Sequence, residues 1–215
     1  KHLARDLLEI VAAHFKLREK EYFGIAYKSD SGHYSWLQAD KLLFDHDVVK
    51  KSSSRIDLLF AVKFFVENVK LLKSATTAEL YFLYLKSLVY KGHLEVDNNT
   101  EFRLAAFVLQ VTLVISSDSI RVLFKILHVL HRKCISVFLF MFSNSENAVL
   151  KIYKDLKDYS IGKAITSYLT TIETVPTYGV HYFKVKDKGG TTWLLGLSYK
   201  GIHQYDVHDK VNPVK

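Results

Sequence analysis

Glu19-Lys20-Glu21-Tyr22-Phe23-Gly24-Ile25-Ala26-Tyr27 is the stretch from which the fold is read. A charged run gives way to an aromatic, apolar one, so Tyr22 to Tyr27 has the composition of a strand. Lys28 to Gly32 then carries Ser-Asp-Ser-Gly turn chemistry, and His33 to Leu37 reads as the second strand of a hairpin. Upstream, Leu3, Leu7, Ile10, Val11, Ala13 and Phe15 recur at helical spacing, with Arg5, Asp6, Glu9 and Lys16 between them, which predicts an amphipathic helix over His2 to Leu17. Downstream, Ile56 to Val66 reads as a third, strongly apolar strand with Lys63 exposed or snorkelling.

A helix, a hairpin and a last strand in this order form the latter part of a ubiquitin-like roll. The period then becomes helical. Thr76-Thr77-Ala78-Glu79 has capping-box spacing before Leu80 to Tyr90, and Gly92 sits where a helix stop is expected. Asn98 or Asn99 can cap a helix from Thr100 to about Val111, with Phe102, Ala105, Ala106 and Leu109 on one face. Tyr153 to Thr174 is helical again, with Ile161, Ile165, Tyr168, Leu169 and Ile172 on one side, an interruption at Gly162 and an end before Pro176. Beyond Pro176 the period is two. Val180 to Lys186, Thr192 to Ser198 and Ile202 to Tyr205 read as a three-strand meander, joined by Asp187-Lys188-Gly189-Gly190 and Tyr199-Lys200-Gly201. Three strands with two open edges are not independently stable, so the meander is expected to continue past Lys215.

Composition narrows the class. The chain has 215 residues, 49% of them hydrophobic, which is enough for a real core. The formal charge of +8 is spread as +3 over 1–75, −1 over 76–110, +2 over 111–150 and +4 over 151–215. No block resembles a nucleic-acid arm and no recognition motif is present, so nucleic acid is not an expected partner. The single cysteine, Cys134, cannot form an internal disulfide, which suits a reducing compartment. Cys134 to Phe142, the longest uncharged apolar run near the middle, has nine residues against the roughly 20 needed to span a bilayer.

Five separated motifs carry a family resemblance. Glu21-Tyr22-Phe23-Gly24-Ile25 with Trp36-Leu37, and Phe60-Ala61-Val62-Lys63-Phe64-Phe65, resemble the first lobe of the FERM domain (band 4.1, ezrin, radixin, moesin). Leu80-Tyr81-Phe82-Leu83-Tyr84-Leu85-Lys86 with Gly92-His93-Leu94, and Ala105-Ala106-Phe107-Val108-Leu109-Gln110, resemble its second. Tyr178-Gly179-Val180-His181-Tyr182-Phe183, followed by Leu195-Gly196-Leu197 and Gly201-Ile202, resembles the start of its third. The wording of Pro176 to Tyr182 and of Gly196 to Ile202 is most similar to the FERM-domain-containing 4 subfamily of junction and polarity scaffolds.

The resemblance implies an α+β, multi-lobe fold. Its parts are a partial ubiquitin-like roll at 1–67 lacking its first hairpin, a helical bundle of acyl-CoA-binding-protein type at 68–176, and a truncated pleckstrin-homology-like antiparallel meander at 177–215. The segment Thr112 to Val149 departs from the family pattern and reads as a mis-joined or divergent exon. The implied function is a non-catalytic adaptor that docks a scaffold to cytoplasmic tails, polarity or junction partners, or phosphoinositides. Its place would be cytoplasmic, peripheral at the plasma membrane or cell junctions, and cytoskeleton-associated. The alternative is the targeting module of a FERM-containing tyrosine kinase or phosphatase whose catalytic domain lies outside this chain.

Candidate sites follow. Family members of ezrin type carry basic residues just after Trp-Leu, where this chain has Gln38, Lys41 and Leu42; Lys50, Lys51 and Arg55 could complete a diffuse lipid-binding patch, or the segment is an ordinary soluble loop. Arg121, Lys125, His128 and Arg132 form a basic stripe at i, i+4, i+7 and i+11. It reads as the solvated face of a bundle helix rather than a membrane-lying one, because so wide an apolar arc needs protein around it. His128, His131 and Cys134 lack a fourth ligand and rotate around a helix axis, so no metal site is expected. Asp45-His46-Asp47 and Asp206-Val207-His208-Asp209 read as solvated loops. Trp36, Phe23, Phe64 and Phe65 are expected in the core of the first lobe. No nucleophile, phosphate cradle or metalloprotease motif is present, so no catalytic residue and no cofactor is expected.

Overall fold

A computed structural model describes residues 2–28, 34–46, 56–115 and 147–215. The chain forms two compact units, 1–66 with 70–84, and 67–69 with 85–215. No helix among the described residues is long and apolar enough to cross a membrane.

In the first unit, helix α1 (Ala4–His14) lies on a three-stranded antiparallel sheet of order β2-β1-β3, formed by β1 (Phe23–Lys28), β2 (Tyr34–Trp36) and β3 (Leu58–Val62). Ala4, Ile25 and Leu37 form the centre of its core, with Leu7, Leu8, Val11, Tyr27, Leu43 and Phe60 packed around them. The inward stripe of α1 therefore runs through residues 4, 7, 8, 11 and 12. Ile10, expected on it, is 66% exposed because it lies across the axis from that stripe. Gly24 faces the other side of the sheet, where a Cβ would come within 2.9 Å of the Trp36 ring.

β3 is shorter than the Ile56 to Val66 run predicts. After Val62 the N–H groups of Lys63 and Phe64 both donate to the Tyr22 carbonyl, which ends the ladder. The Tyr81 hydroxyl then donates to the Phe64 carbonyl at 2.7 Å and accepts the Val66 N–H at 2.9 Å. Phe64 is consequently turned outward, 57% exposed, and is not part of the core; Phe23 is buried as expected.

Helix α2 (Ala75–Tyr90) begins one residue before the expected Thr-Thr-Ala-Glu box, which lies inside it. The Glu19 carboxylate instead accepts the N–H groups of Lys73 at 3.1 Å and Ser74 at 2.8 Å, fixing the chain that enters the helix, and the Ser74 carbonyl accepts the N–H of Ala78.

In the second unit, α3 (Asn98–Ile115) packs against α5 (Ile161–Ile172). The cap of α3 is Asp97 rather than Asn98 or Asn99: its carboxylate accepts the Thr100 N–H at 3.0 Å. The most buried side chains of α3 are Leu104, Ala106, Phe107, Gln110 and Val111, a stripe rotated from the expected one. Tyr153 to Thr174 is two helices, not one. A segment over 147–155 (α4) ends in a turn, and Ser160 caps α5 by accepting the Lys163 N–H at 3.2 Å, so the break precedes Gly162. Gln110 holds that turn by donating to the Tyr159 carbonyl at 2.7 Å.

The meander has four strands among the described residues, β4 (His181–Lys186), β5 (Thr192–Ser198), β6 (Gly201–Asp206) and β7 (Asp209–Pro213), each antiparallel to the next. The fourth corrects the three-strand expectation, because Asp206 pairs with Asp209 across Val207-His208 and folds the chain back. Gly196 leaves room for the Tyr205 ring, which meets Tyr182 edge-on at 5.3 Å. Phe183, Val185, Leu197 and Ile202 are exposed. Gly179 (φ +67°) makes the turn that leads from the helices into β4.

Candidate functional site

Lys41 is the one expected lipid-contacting residue among the described ones. It follows β2 in a loop that is exposed over Gln38, Ala39 and Asp40 and half-buried over Lys41, Leu42 and Leu43. Leu43 enters the core of the first unit and Leu42 bridges to Leu3. The Lys41 side chain is half-buried, while its carbonyl accepts the Ala4 N–H at 2.9 Å; the Ala39 carbonyl accepts the Arg5 N–H at 3.1 Å. The first turn of a helix has N–H groups without intrahelical partners, and this loop satisfies two of them. Arg5 also pairs with Asp40 at 3.3 Å, an exposed contact of small energetic weight.

His46 closes the loop. It is 3% exposed, which corrects the reading of Asp45-His46-Asp47 as wholly solvated. Its Nε2 accepts the Gln38 N–H at 3.0 Å and its Nδ1 donates to the Leu42 carbonyl at 3.0 Å. No periodicity marks this residue in the sequence; a histidine between two aspartates looks like surface until the chain folds back on it.

Asp206 and Asp209 are likewise occupied by the turn. Asp206 accepts the His208 N–H at 2.8 Å, and Asp209 accepts the N–H groups of Val211 at 2.9 Å and Asn212 at 3.0 Å. The Asn212 side chain, first among its partners, holds the Asp209 carboxyl below the usual carboxylate range. Among the described residues no group of three or more His, Cys, Asp or Glu side chains is arranged to hold a metal ion. Lys50, Lys51, Arg55, the stripe of Arg121, Lys125, His128 and Arg132, and the His128, His131 and Cys134 trio lie outside the described residues.

A polar tie within the second unit was not foreseen. Thr177, buried beside the meander, accepts the Glu95 N–H at 3.1 Å through its hydroxyl; Glu95 pairs with Lys210 at 3.5 Å; and the Lys210 carbonyl accepts the Tyr182 hydroxyl at 2.6 Å. Burial, first, and neighbouring acidic groups push the Tyr182 phenol well above its ordinary range. Sequence order could not place Glu95 against Lys210.

Comparison with known proteins joins these parts. The FERM N-terminal domain matches residues 1–48 and the FERM central domain matches 67–183, a span that includes residues 112–149. Merlin from Homo sapiens is 27% identical over 212 residues, covering 97% of this chain, as is Merlin from Rattus norvegicus. The chain spans 35% of the human protein's length. Among solved structures, the FERM and C-terminal domain complex of Drosophila Merlin superposes with a TM-score of 0.78 at 23% identity, covering 99% of this chain and 72% of that one. The C-terminal MyTH4-FERM domain of human Myosin 7b, in complex with the harmonin-a PDZ3 domain, gives 0.67 at 19% identity, covering 99% and 46%. With both FERM segments matched in order on the sheet and the helices described above, this chain belongs to the FERM domain family.

Proposed function

We propose that this FERM chain is a non-catalytic adaptor module, with lobes at 1–67, 68–176 and 177–215, that docks a scaffold protein to membrane-protein tails, to junction and polarity partners or to phosphoinositides. Its place is the cytoplasmic side of the plasma membrane. Similar folds occur in complexes in which a FERM-containing chain meets another protein domain, as for Drosophila Merlin and its C-terminal domain and human Myosin 7b and PDZ3. The observation that carries the lipid part of the reading is Lys41, held on a fixed loop directly after Trp36-Leu37. Lys50, Lys51 and Arg55 extend the same basic segment in sequence.

Liposome co-sedimentation of the chain at low and physiological salt tests it. Binding to vesicles containing an anionic phosphoinositide, weakened by salt and absent with neutral vesicles, is the expected result. Equal sedimentation with neutral and anionic vesicles would remove lipid from the function and leave protein docking alone.

A further inference from the structure

Within the second unit, two connections of the chain meet at one side chain: Glu67–Val69, which leads towards α2, and residues 173–179, which lead from α5 into β4. Val69 is buried while Glu67, Asn68, Lys70 and Leu71 around it are exposed. It opens a short 3₁₀ turn, so its N–H has no partner within the turn, and the Glu173 carboxylate accepts it at 2.7 Å. Glu173 itself ends α5, its own N–H bonding the Leu169 carbonyl at 3.0 Å. A carboxylate at this negative end of a helix has the disfavoured sign, so nothing local to α5 calls for it. Beyond Glu173 the chain is held turn by turn, with the Val175 N–H on the Ile172 carbonyl at 3.1 Å and the Tyr178 N–H on the Val175 carbonyl at 2.9 Å, and Val175, Thr177 and Tyr178 are buried. Thr177 in turn accepts the Glu95 N–H.

We propose that Glu173 is a latch that makes these two connections open together. Its bond to Val69 is a carboxylate–amide bond of charge-assisted length, and it joins residues 104 positions apart. Release of Val69 strands a buried N–H and leaves the carboxylate at the end of α5 with only the helix dipole against it. Loosening of the α5 end has the reverse effect, because it carries away the acceptor on which Val69 depends. The two events are therefore one opening. A partner that drew Val69 from its seat would loosen the root of the meander, and one that held residues 173–179 in place would hold Val69. The latch stands independently of the adaptor and lipid readings.

Hydrogen exchange of the whole chain, followed amide by amide by NMR in increasing urea below the unfolding transition, tests it. Amides that exchange through one opening share one opening free energy and one urea dependence. In the unsubstituted chain the Val69, Glu95 and Tyr178 amides are expected to fall on one such line, with protection roughly tenfold or more below that of the β5 amides. Glu173→Ala removes the acceptor, and Val69 should then exchange about tenfold faster and leave the line of Glu95 and Tyr178. Glu173→Gln, whose side-chain oxygen can still accept, should keep the three together. Separate lines in the unsubstituted chain, a common line that survives Glu173→Ala, or separation in Glu173→Gln each overturns the latch. So does a line shared with β5 in the unsubstituted chain, which would mean that all these amides exchange through global unfolding. The first and last of these outcomes need no variant, so the latch can be refuted even if Glu173→Ala fails to fold.

Discussion

Lys16 and Gly92 occupy the same position in two copies of one helix-ending motif. After α1, the N–H of Lys16 bonds the Ala13 carbonyl and that of Leu17 bonds the Ala12 carbonyl; after α2, Gly92 bonds Val89 and His93 bonds Leu88. Both residues are left-handed, at φ +53° and +67°. Glycine, having no Cβ to crowd, accepts that conformation freely, which is why Gly92 was readable as a stop and Lys16 was not. Lys16→Gly should stabilise the chain by about 0.5–1 kcal/mol, the left-handed strain relieved less the extra freedom of an unfolded glycine. Urea denaturation measures this, and a lower midpoint in the variant would contradict it. Tyr81 is the opposite case, a residue whose substitution must be costly. Its buried hydroxyl serves both Phe64 and Val66, so Tyr81→Phe should destabilise by about 1–3 kcal/mol as the Val66 N–H loses its acceptor. A variant with an unchanged midpoint would show that water replaces the hydroxyl.

At the scale of elements, the β4–β5 hairpin shows what a local pattern can specify. Asp187-Lys188-Gly189-Gly190 was legible as a turn because its chemistry is local: the Asp187 carboxylate accepts the Thr191 N–H at 2.9 Å and the Trp193 indole N–H at 3.0 Å. The Trp193 bond, and after it the Thr191 bond, hold this carboxyl below the ordinary range. A depressed carboxyl contributes stability that is fully present above its unfolded value, about 3.9 for Asp, and that is lost as pH falls through the lower folded value. The Trp193 indole N–H signal should therefore shift on acidification from pH 5 to pH 2, and the shift should vanish in Asp187→Ala. A flat titration in the unsubstituted chain would refute the clamp. Strands β4, β5 and β6 and helices α1 and α5 were legible on the same local grounds, period and turn residues. What escaped was decided by distant partners: β3 stops at Val62 because Tyr22 and Tyr81 capture the next residues, and α2 is entered through Glu19. Packing within the meander obeys the same division. Gly196 reads as a weak strand residue, yet a Cβ there would lie 2.6 Å from Tyr205 and 2.8 Å from Val180. Gly196→Ala should cost about 1–3 kcal/mol in thermal unfolding as Tyr205 is forced off its rotamer, and an unaltered melting temperature would mean the ring can move aside.

For the whole molecule, charge distribution decides what kind of attachment the chain can make. The family was legible because its motifs are contiguous runs; of the candidate site only Lys41 was marked in the sequence, since the hydrogen bonds of His46 and the Glu95–Lys210 pair join residues that sequence keeps apart. The +8 is shared out in small excesses, and Gln38 and Leu42 stand where ezrin-type members place further basic residues. Each basic side chain near an anionic leaflet contributes about 1 kcal/mol, so on the proposed lipid reading Lys41 with Lys50, Lys51 and Arg55 would supply roughly 3–4 kcal/mol, an attachment in the millimolar range. That energy is Coulombic and exposed, and it falls within a Debye length of about 10 Å at 0.1 M salt. Lys41→Glu removes one attraction and adds one repulsion. It should lower the vesicle partition coefficient by roughly ten- to thirty-fold at low salt, about twice 1 kcal/mol, and by much less at physiological salt. Loss of binding that is equally large at both salts would mean that Lys41 acts through a desolvated, specific headgroup contact instead of a diffuse field. An unchanged partition coefficient would take Lys41 out of the membrane-facing surface altogether.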